Sequence, residues 1–110
     1  MTNDETPAAT PDRFTIEDMP DSTQYELRDA ETTIGFAEYH DRGDSRLFTH
    51  TVVDGSYGGQ GLGTRLARHV LEDAVAQGKR IVPICPFIAA YLKRHPEYEA
   101  NVDWPDAVAG

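Results

Sequence analysis

The sequence has few cysteines and little positive charge. Cys85 is the single cysteine in 110 residues, so an intramolecular disulfide is excluded and a reducing compartment is favoured. Only 10 lysines and arginines stand against 19 aspartates and glutamates, which gives a net charge of -9. This balance argues against nucleic acid or an anionic membrane as the partner, and it suits a cationic amine better.

Long hydrophobic runs are also absent. No apolar stretch approaches the roughly 20 residues needed to cross a bilayer, and the N-terminus lacks the basic start and hydrophobic stretch of a secretion signal. We therefore expect a cytoplasmic protein with no membrane partner. With 39% hydrophobic residues, a chain of this length can bury one core. We predict a disordered leader over residues 1–12, a folded domain over 13–102 and a flexible tail over 103–110.

The most informative segment is a glycine-rich turn between a strand and a helix. Four glycines fall within six residues: Gly58, Gly59, Gly61 and Gly63. Glycine permits left-handed backbone angles and places no side chain between a ligand and the backbone, so amide N–H groups can converge there. The following helix adds the unpaired N–H groups of its first turn and the positive end of its dipole. The turn therefore predicts a binding site for a diphosphate.

Two other kinds of phosphate-binding loop fail on spacing. A nucleotide P-loop needs Lys and then Ser or Thr after its last glycine, but Thr64 and Arg65 follow here. The dinucleotide pattern GxGxxG fails because the glycines at 59, 61 and 63 are two apart and position 64 is threonine. A third alternative is the GGQ tripeptide of peptide-release factors. It matches three letters only, and an RNA-binding protein would need basic segments that this acidic chain lacks.

The remaining pattern predicts a mixed sheet with flanking helices. β-Branched, aromatic and alternating residues predict strands, and the stripe from Leu62 to Val75 predicts a helix that Gly78 can cap. The predicted strands are 25–28, 33–39, 46–54 and 80–85, with the last one parallel and buried. Pro86 starts a second helix that runs to about Arg94, and Pro96 turns the chain towards a last strand. This order of elements predicts an α/β sandwich.

Strict alternation along the strand 46–54 divides its side chains between two faces. It places Phe48, His50 and Val52 on one face. Leu47, Thr49, Thr51 and Val53 fall on the other face. His50 is therefore expected to lie within an apolar set.

The strand and glycine turn together resemble the GNAT acetyltransferase superfamily, in which a valine-containing strand runs into a glycine-rich turn that holds the pyrophosphate of acetyl-CoA. Val53 takes the place of the strand valine, Gly59, Gly61 and Gly63 fall on the glycine positions, and Leu62 fills the apolar slot. Gly58 departs from the family, which usually has Arg or Gln there. Backbone donors would then have to provide more of the phosphate binding.

Three ordered motifs extend the resemblance to a subgroup of small single-domain GNAT-like proteins. FTHTVV at 48–53 matches FxHTxV, GQGLG at 59–63 matches GQGxG, and PICPFIAAYLKRHPEY at 83–98 matches PxCPFxxxYxxxHPEY. Together they cover roughly residues 24–102. The resemblance implies a minimal version of the GNAT fold.

The resemblance also implies acetyl-CoA as cosubstrate, no metal, and N-acetyl transfer to a small amine or a protein amino group. The implied cofactor-binding residues are Val53, Gly59, Gln60, Gly61, Leu62, Gly63, Thr64 and Arg65. We predict that a basic patch of Arg65, Arg68, Lys79 and Arg80 lies beside the loop. The acceptor is unknown, and we expect a monomer or weak homodimer. The alternative is a non-catalytic acyl-CoA binding module.

Three residues are catalytic candidates, each with a structural alternative. Cys85 lies between a strand and a helix, where the helix dipole would favour a thiolate able to accept an acetyl group; the alternative is a buried apolar filler. His50 is the best general base by type, since an imidazole titrates near neutral pH, unless it is structural. Tyr91 could protonate the leaving thiolate, although the family tyrosine corresponds to Lys93 here, and core packing is the alternative. A metal site of His50, Cys85 and His95 is rejected for lack of ligand spacing.

Overall fold

The computed structural model describes residues 13–105. The predicted leader and the last five residues of the predicted tail lie outside the described residues. The strands are β1 (Phe14–Met19), β2 (Gln24–Asp29), β3 (Thr32–Arg42), β4 (Ser45–Val53) and β5 (Arg80–Pro83). The helices are α1 (Leu62–Ala76) and α2 (Pro86–Arg94). Short 3-10 helices cover Pro20–Ser22, Gly55–Tyr57 and Pro96–Asn101.

These strands form one mixed sheet in the order β1-β2-β3-β4-β5. The first four strands pair antiparallel, and β5 pairs parallel to β4 after the chain crosses over through α1. The predicted mixed α/β architecture is confirmed. Strand β1 was not predicted, although Phe14 and Ile16 alternate with Thr15 and Glu17 as a half-buried strand requires. Between β1 and β2 the chain has only the 3-10 turn Pro20–Ser22.

Both helices pack on the same face of the sheet. The stripe on α1 that includes Leu66, Val70 and Leu71 is fully buried, and it forms one cluster with Tyr25 and Phe48 of the strands. The α2 residues that join the same cluster are Ile88, Tyr91 and Leu92. Because the helices share one face, we call it the helix face and call the opposite one the open face.

A buried arginine ties α1 to the helix face. Arg46 on β4 donates to the Asp41 carboxylate at 2.7 Å and to the Tyr25 hydroxyl at 2.6 Å, and it lies 3.7 Å from the Asp73 carboxylate on α1. Its guanidinium carbon is 4.1 Å from the centre of the Tyr39 ring. Burial and the hydrogen bond to Asp73 raise the pKa of Tyr25. The network therefore stays formed across the neutral pH range.

A bulge in β4 makes the predicted division of its faces wrong. Thr51 and Val53 align with Tyr25 and Leu27 through β3, so they lie on the helix face, as Phe48 does. Phe48 and Thr51 are three residues apart and can share a face only because the β3–β4 register shifts between them. The extra residue turns His50 away from Phe48. His50 and Val52 both lie on the open face, where His50 has 71% of its side chain exposed.

The C-terminal segment ends in a single bridge, where a last strand was predicted. After the 3-10 helix Pro96–Asn101, Val102 forms one parallel bridge to Ile81. The Asp103 N–H donates to the Ile81 carbonyl at 2.8 Å, and its carboxylate lies 2.6 Å from Arg80. Asp103, the first residue of the predicted tail, thus contacts both Ile81 and Arg80 of β5.

Candidate functional site

The candidate site begins where β4 and β5 separate. Their parallel pairing ends at Phe48 and Pro83, and the Phe48 carbonyl accepts the N–H groups of Ile84 and Cys85 at 3.0 and 2.8 Å. Strand β4 continues for five more residues. The Asp54 N–H donates to β3, and because successive N–H groups alternate in direction, the Val53 N–H points the other way. That donor faces the gap that opens beyond the end of β5.

The glycine turn lies at the end of this gap. Gly59 and Gly61 have φ values of +81° and +70°, in the left-handed region that glycine occupies without strain. A Cβ at either position would meet no atom within 4 Å, whereas a Cβ on Gly63 would lie 3.0 Å from the Phe87 ring. Gly59 and Gly61 therefore suit their left-handed backbone angles, and a side chain at position 63 would require the Phe87 ring to shift.

Several N–H groups of the turn are unpaired within the described residues. The first bond of α1 runs from the Arg65 N–H to the Gly61 carbonyl at 3.0 Å. No hydrogen bond found among residues 13–105 uses the N–H of Gly59, Gln60 or Gly61, nor those of the next three residues. The N–H of Gly58 is different, because it donates to Gly55 at 3.1 Å. The potential donors therefore run from position 59 to position 64, at the positive end of a 15-residue helix.

A cavity of about 290 Å³ opens in front of these N–H groups. Six of the predicted cofactor-binding residues line it: Val53, Gly59, Gly61, Leu62, Gly63 and Thr64. Gln60 and Arg65 are not in its lining. Asp54, Tyr57 and Phe87 also line it and were not predicted. Phe87 follows Pro86 in the motif PxCPF. Its place in that motif is the sequence signal that could have identified it as a lining residue.

Cys85 lies at the edge of the gap as the N-cap of α2. Its backbone is extended, with φ -68° and ψ 129°, and its carbonyl accepts the Ala89 N–H at 3.0 Å. The thiol is 4% exposed and donates to the Thr51 hydroxyl at 3.5 Å. The predicted position between a strand and a helix is confirmed. The structure thus brings Cys85 beside the part of β4 that β5 leaves unpaired.

The other two catalytic candidates lie apart from Cys85. His50 is on the open face, where its Nδ1 is 2.7 Å from the Glu38 carboxylate. Tyr91 is buried on the helix face and stacks on His95 with ring centres 4.0 Å apart. Burial raises the pKa of Tyr91. No hydrogen bond among the described residues joins Tyr91 to Cys85, and Tyr91 belongs to the buried cluster on the helix face.

The predicted basic patch is divided between the two ends of α1. Arg65 and Arg68 lie near its start, where they line a second groove of about 490 Å³ with Ile16, His69 and other residues of β1 and α1. Lys79 and Arg80 follow the far end of the helix, about 20 Å away for a helix of this length. There, Lys79 lies 3.7 Å from Asp41, and Arg80 pairs with Asp103. The prediction that all four lie beside the loop is therefore wrong.

Two structural features are absent from residues 13–105. No group of three or more His, Cys, Asp or Glu side chains in this range is placed to hold a metal ion. Neither of the two α-helices is long and apolar enough to span a membrane.

Comparison with known proteins identifies the family. Residues 24–102 match the GCN5-related N-acetyltransferase family, so the chain belongs to that family, which uses acetyl-CoA as the acyl donor. No curated protein matches the sequence.

Solved structures agree with this assignment. A GCN5-like protein from Staphylococcus aureus, described as a candidate N-acetyltransferase, superimposes with a TM-score of 0.67 at 22% identity over 84% of this chain and 91% of its own. The ribosomal-protein-S18-alanine N-acetyltransferase of Escherichia coli superimposes with a TM-score of 0.50 at 20% identity. That match covers 66% of this chain and 42% of the enzyme. At these identities the likeness shows a shared fold.

Proposed function

We propose that this protein is an acetyl-CoA-dependent N-acetyltransferase whose cosubstrate binds at the glycine turn. The main support is the set of unpaired N–H groups from Gly59 to Thr64 at the positive end of α1, next to the gap between β4 and β5. Together, N–H donors and a helix dipole form a common anion site. Acetyl-CoA carries a pyrophosphate and a long narrow arm, which match the cavity and the gap respectively.

The proposed cofactor contacts are mainly backbone contacts. The N–H groups of residues 59 to 64 would hold the pyrophosphate, and the Val53 N–H in the gap would meet the thioester carbonyl as its oxygen gains charge. Leu62 lines the cavity and is 3% exposed. Gln60 and Arg65 lie outside the lining, so a contact between either side chain and the cofactor needs a change of side-chain conformation.

Two routes of transfer are open to the catalytic candidates. In direct transfer, His50 takes a proton from the bound amine, which then attacks the thioester while coenzyme A leaves as its thiolate. In the covalent route, the Cys85 thiolate attacks first, the thioester C–S bond breaks, and the acetyl group passes from Cys85 to the amine. Tyr91 as the acid that protonates the leaving thiolate remains a prediction, and its stacking on His95 favours the packing role.

The acceptor is proposed to be a small amine or a protein amino group. The open face has no helix on it among residues 13–105, because β1 and the turn Pro20–Ser22 occupy the chain before β2. A site that is open on this side can admit an amino group carried on a protein. The related enzyme from Escherichia coli is named for such an acceptor, the alanine of a ribosomal protein.

A pair of variants at Gly61 tests the cofactor site. Asparagine and aspartate both tolerate the left-handed backbone angle at this position and are nearly identical in shape, and a Cβ there meets nothing within 4 Å. Gly61→Asp places a negative charge in front of the N–H groups and should weaken coenzyme A binding about tenfold or more. Gly61→Asn is the matched control and should bind nearly as well as the wild type by isothermal titration calorimetry. Equal affinities for the two variants would contradict binding at this turn.

A second candidate function is a non-catalytic acyl-CoA binding module. Gly58 favours it, because this position lacks the usual Arg or Gln and its N–H is used by Gly55. Incubation with acetyl-CoA, followed by intact-mass measurement and a panel of amines, separates the two functions. Gain of one acetyl group that Cys85→Ala abolishes supports the covalent route. Acetylated amines without protein acetylation support direct transfer. Tight binding with neither product supports the module and contradicts the transferase.

A further inference from the structure

Two neighbouring side chains of β4 converge on a single oxygen of Glu38. The Thr49 hydroxyl donates to Glu38 Oε1 at 2.8 Å, and His50 Nδ1 lies 2.7 Å from the same atom. Adjacent residues of a regular strand point to opposite faces and could not do this. The bulge between Phe48 and Thr51 turns both side chains to the open face.

This geometry determines which imidazole nitrogen carries the proton. The hydrogen bond from the Thr49 hydroxyl is the largest cause that holds the pKa of the Glu38 carboxyl below its ordinary value, so Glu38 is an ionised group that can only accept. His50 must therefore donate through Nδ1–H. In a neutral imidazole the other nitrogen, Nε2, then has a free lone pair. This tautomer is the one that free histidine disfavours.

Glu38 and His50 lie close to the gap between β4 and β5, so the free Nε2 of this tautomer can act on a substrate there. Thr51 and Cys85 lie on the helix face of β4, whereas His50 lies one residue earlier on the open face. A thioester held in the gap would be accessible to an amine from the open face. The imidazole, with 71% of its side chain exposed, is on the side from which that amine arrives.

We propose that Glu38, held by Thr49, is a positioning residue that fixes His50 in the Nδ1–H tautomer so that Nε2 serves as the general base. This inference rests on the proposed acetyl transfer. Nε2 takes the proton that the attacking amine loses, and the imidazolium that forms is stabilised by the Glu38 carboxylate. The arrangement uses the same physical logic as a carboxylate that orients a catalytic histidine in hydrolases.

Glu38→Gln is the variant that tests the proposal. It keeps the shape of the side chain and removes the charge that requires an Nδ1–H donor. Glu26→Gln is the matched control, because Glu26 lies on the open face of the neighbouring strand and pairs with Arg28 at 2.7 Å. Thr49→Val is a second variant that leaves Glu38 charged but removes the hydroxyl that holds it.

Two measurements need neither acetyl-CoA nor an acceptor. Nitrogen-15 NMR of His50 should show the Nδ1–H tautomer in the wild type and in Glu26→Gln, and a shift towards Nε2–H in Glu38→Gln. Carbethoxylation by diethyl pyrocarbonate, followed by peptide mass spectrometry with His69 as internal reference, should slow several-fold at His50 in Glu38→Gln and less in Thr49→Val. Where an acetylated amine is found in the panel, kcat should fall about tenfold in Glu38→Gln with an unchanged KM for acetyl-CoA.

The outcomes are distinct from those of the proposed function. An Nε2–H tautomer in the wild type, or equal carbethoxylation rates in Glu38→Gln and Glu26→Gln, overturns the role of Glu38 even if acetyl transfer is observed. If Glu38→Gln does not fold, Thr49→Val decides by the same two readings. Failure of coenzyme A to bind is seen separately by calorimetry and would overturn the proposed function.

Discussion

Replacing Arg46 tests how α1, and with it the glycine turn, is held on the sheet. Arg46→Met keeps a long unbranched side chain but removes the guanidinium and with it every hydrogen bond and ion pair to Asp41, Tyr25 and Asp73. Removing one partner of a buried ion pair costs roughly 3–5 kcal/mol. Asp41 and Asp73 keep 36% and 32% of their side chains exposed, so water can replace part of the lost interaction. We therefore expect a loss of about 3 kcal/mol, the lower bound of that range.

Thermal and urea unfolding measure this loss. For a domain of this size, ~1 kcal/mol corresponds to about 4–8 °C in Tm, so Arg46→Met should lower Tm by roughly 15 °C. Arg46→Lys should fall between it and the wild type, because an ammonium cannot match the fork of bonds that the guanidinium makes. The control is Arg42→Met, since Arg42 is an exposed arginine at the end of β3. Equal losses at positions 42 and 46 would refute the reasoning.

The ion pair between Arg46 and Asp41 also predicts how the loss of stability in Arg46→Met depends on pH. Hydrogen bonds from Arg46 hold the pKa of Asp41 below its ordinary value of 3.8. A carboxyl whose pKa is lower in the folded state adds stability above its unfolded pKa, and this stability disappears as pH falls through the folded pKa. The difference between wild type and Arg46→Met should thus be constant above about pH 5 and shrink below 3.8. Solvent screening limits the change, because Asp41 is partly exposed. A difference that grows on acidification would contradict this account.

Two glycines give further predictions. Gly58→Gln restores a family side chain at a position with φ -60°, where a Cβ meets only the Gly55 carbonyl at 3.4 Å. It should tighten coenzyme A binding about threefold to tenfold through one added hydrogen bond, whereas Gly58→Ala should leave the Kd from calorimetry unchanged. Gly35→Ala places a Cβ 2.7 Å from the Val52 carbonyl, so β3 and β4 must separate. Urea unfolding should show a loss of about 2 kcal/mol, and a wild-type midpoint would rule out this close approach.

Local patterns predicted most of the elements. The apolar stripe on α1, Pro86 at the start of α2 and the glycines at 59 and 61 act through backbone preference and helical spacing, which are properties of a short segment. The helix bounds at Leu62 and Arg94 agree with the structure for that reason. The missed strand β1 has a weaker signal, because its apolar positions Phe14 and Ile16 are few and the acidic residues Glu17 and Asp18 follow them.

The candidate site also has features that short segments of sequence determine and features that only the tertiary structure determines. The amino-acid sequence by itself determined the glycine turn, its N–H donors and the place of Cys85 between a strand and a helix, because each depends on a few consecutive residues. Only the tertiary structure decided where His50 points, because one extra residue in β4 reverses a side-chain alternation that the sequence letters do not reveal. It also brought Glu38 to His50 and Phe87 to Gly63. These contacts join segments distant along the chain, and packing of the sheet and helices sets them.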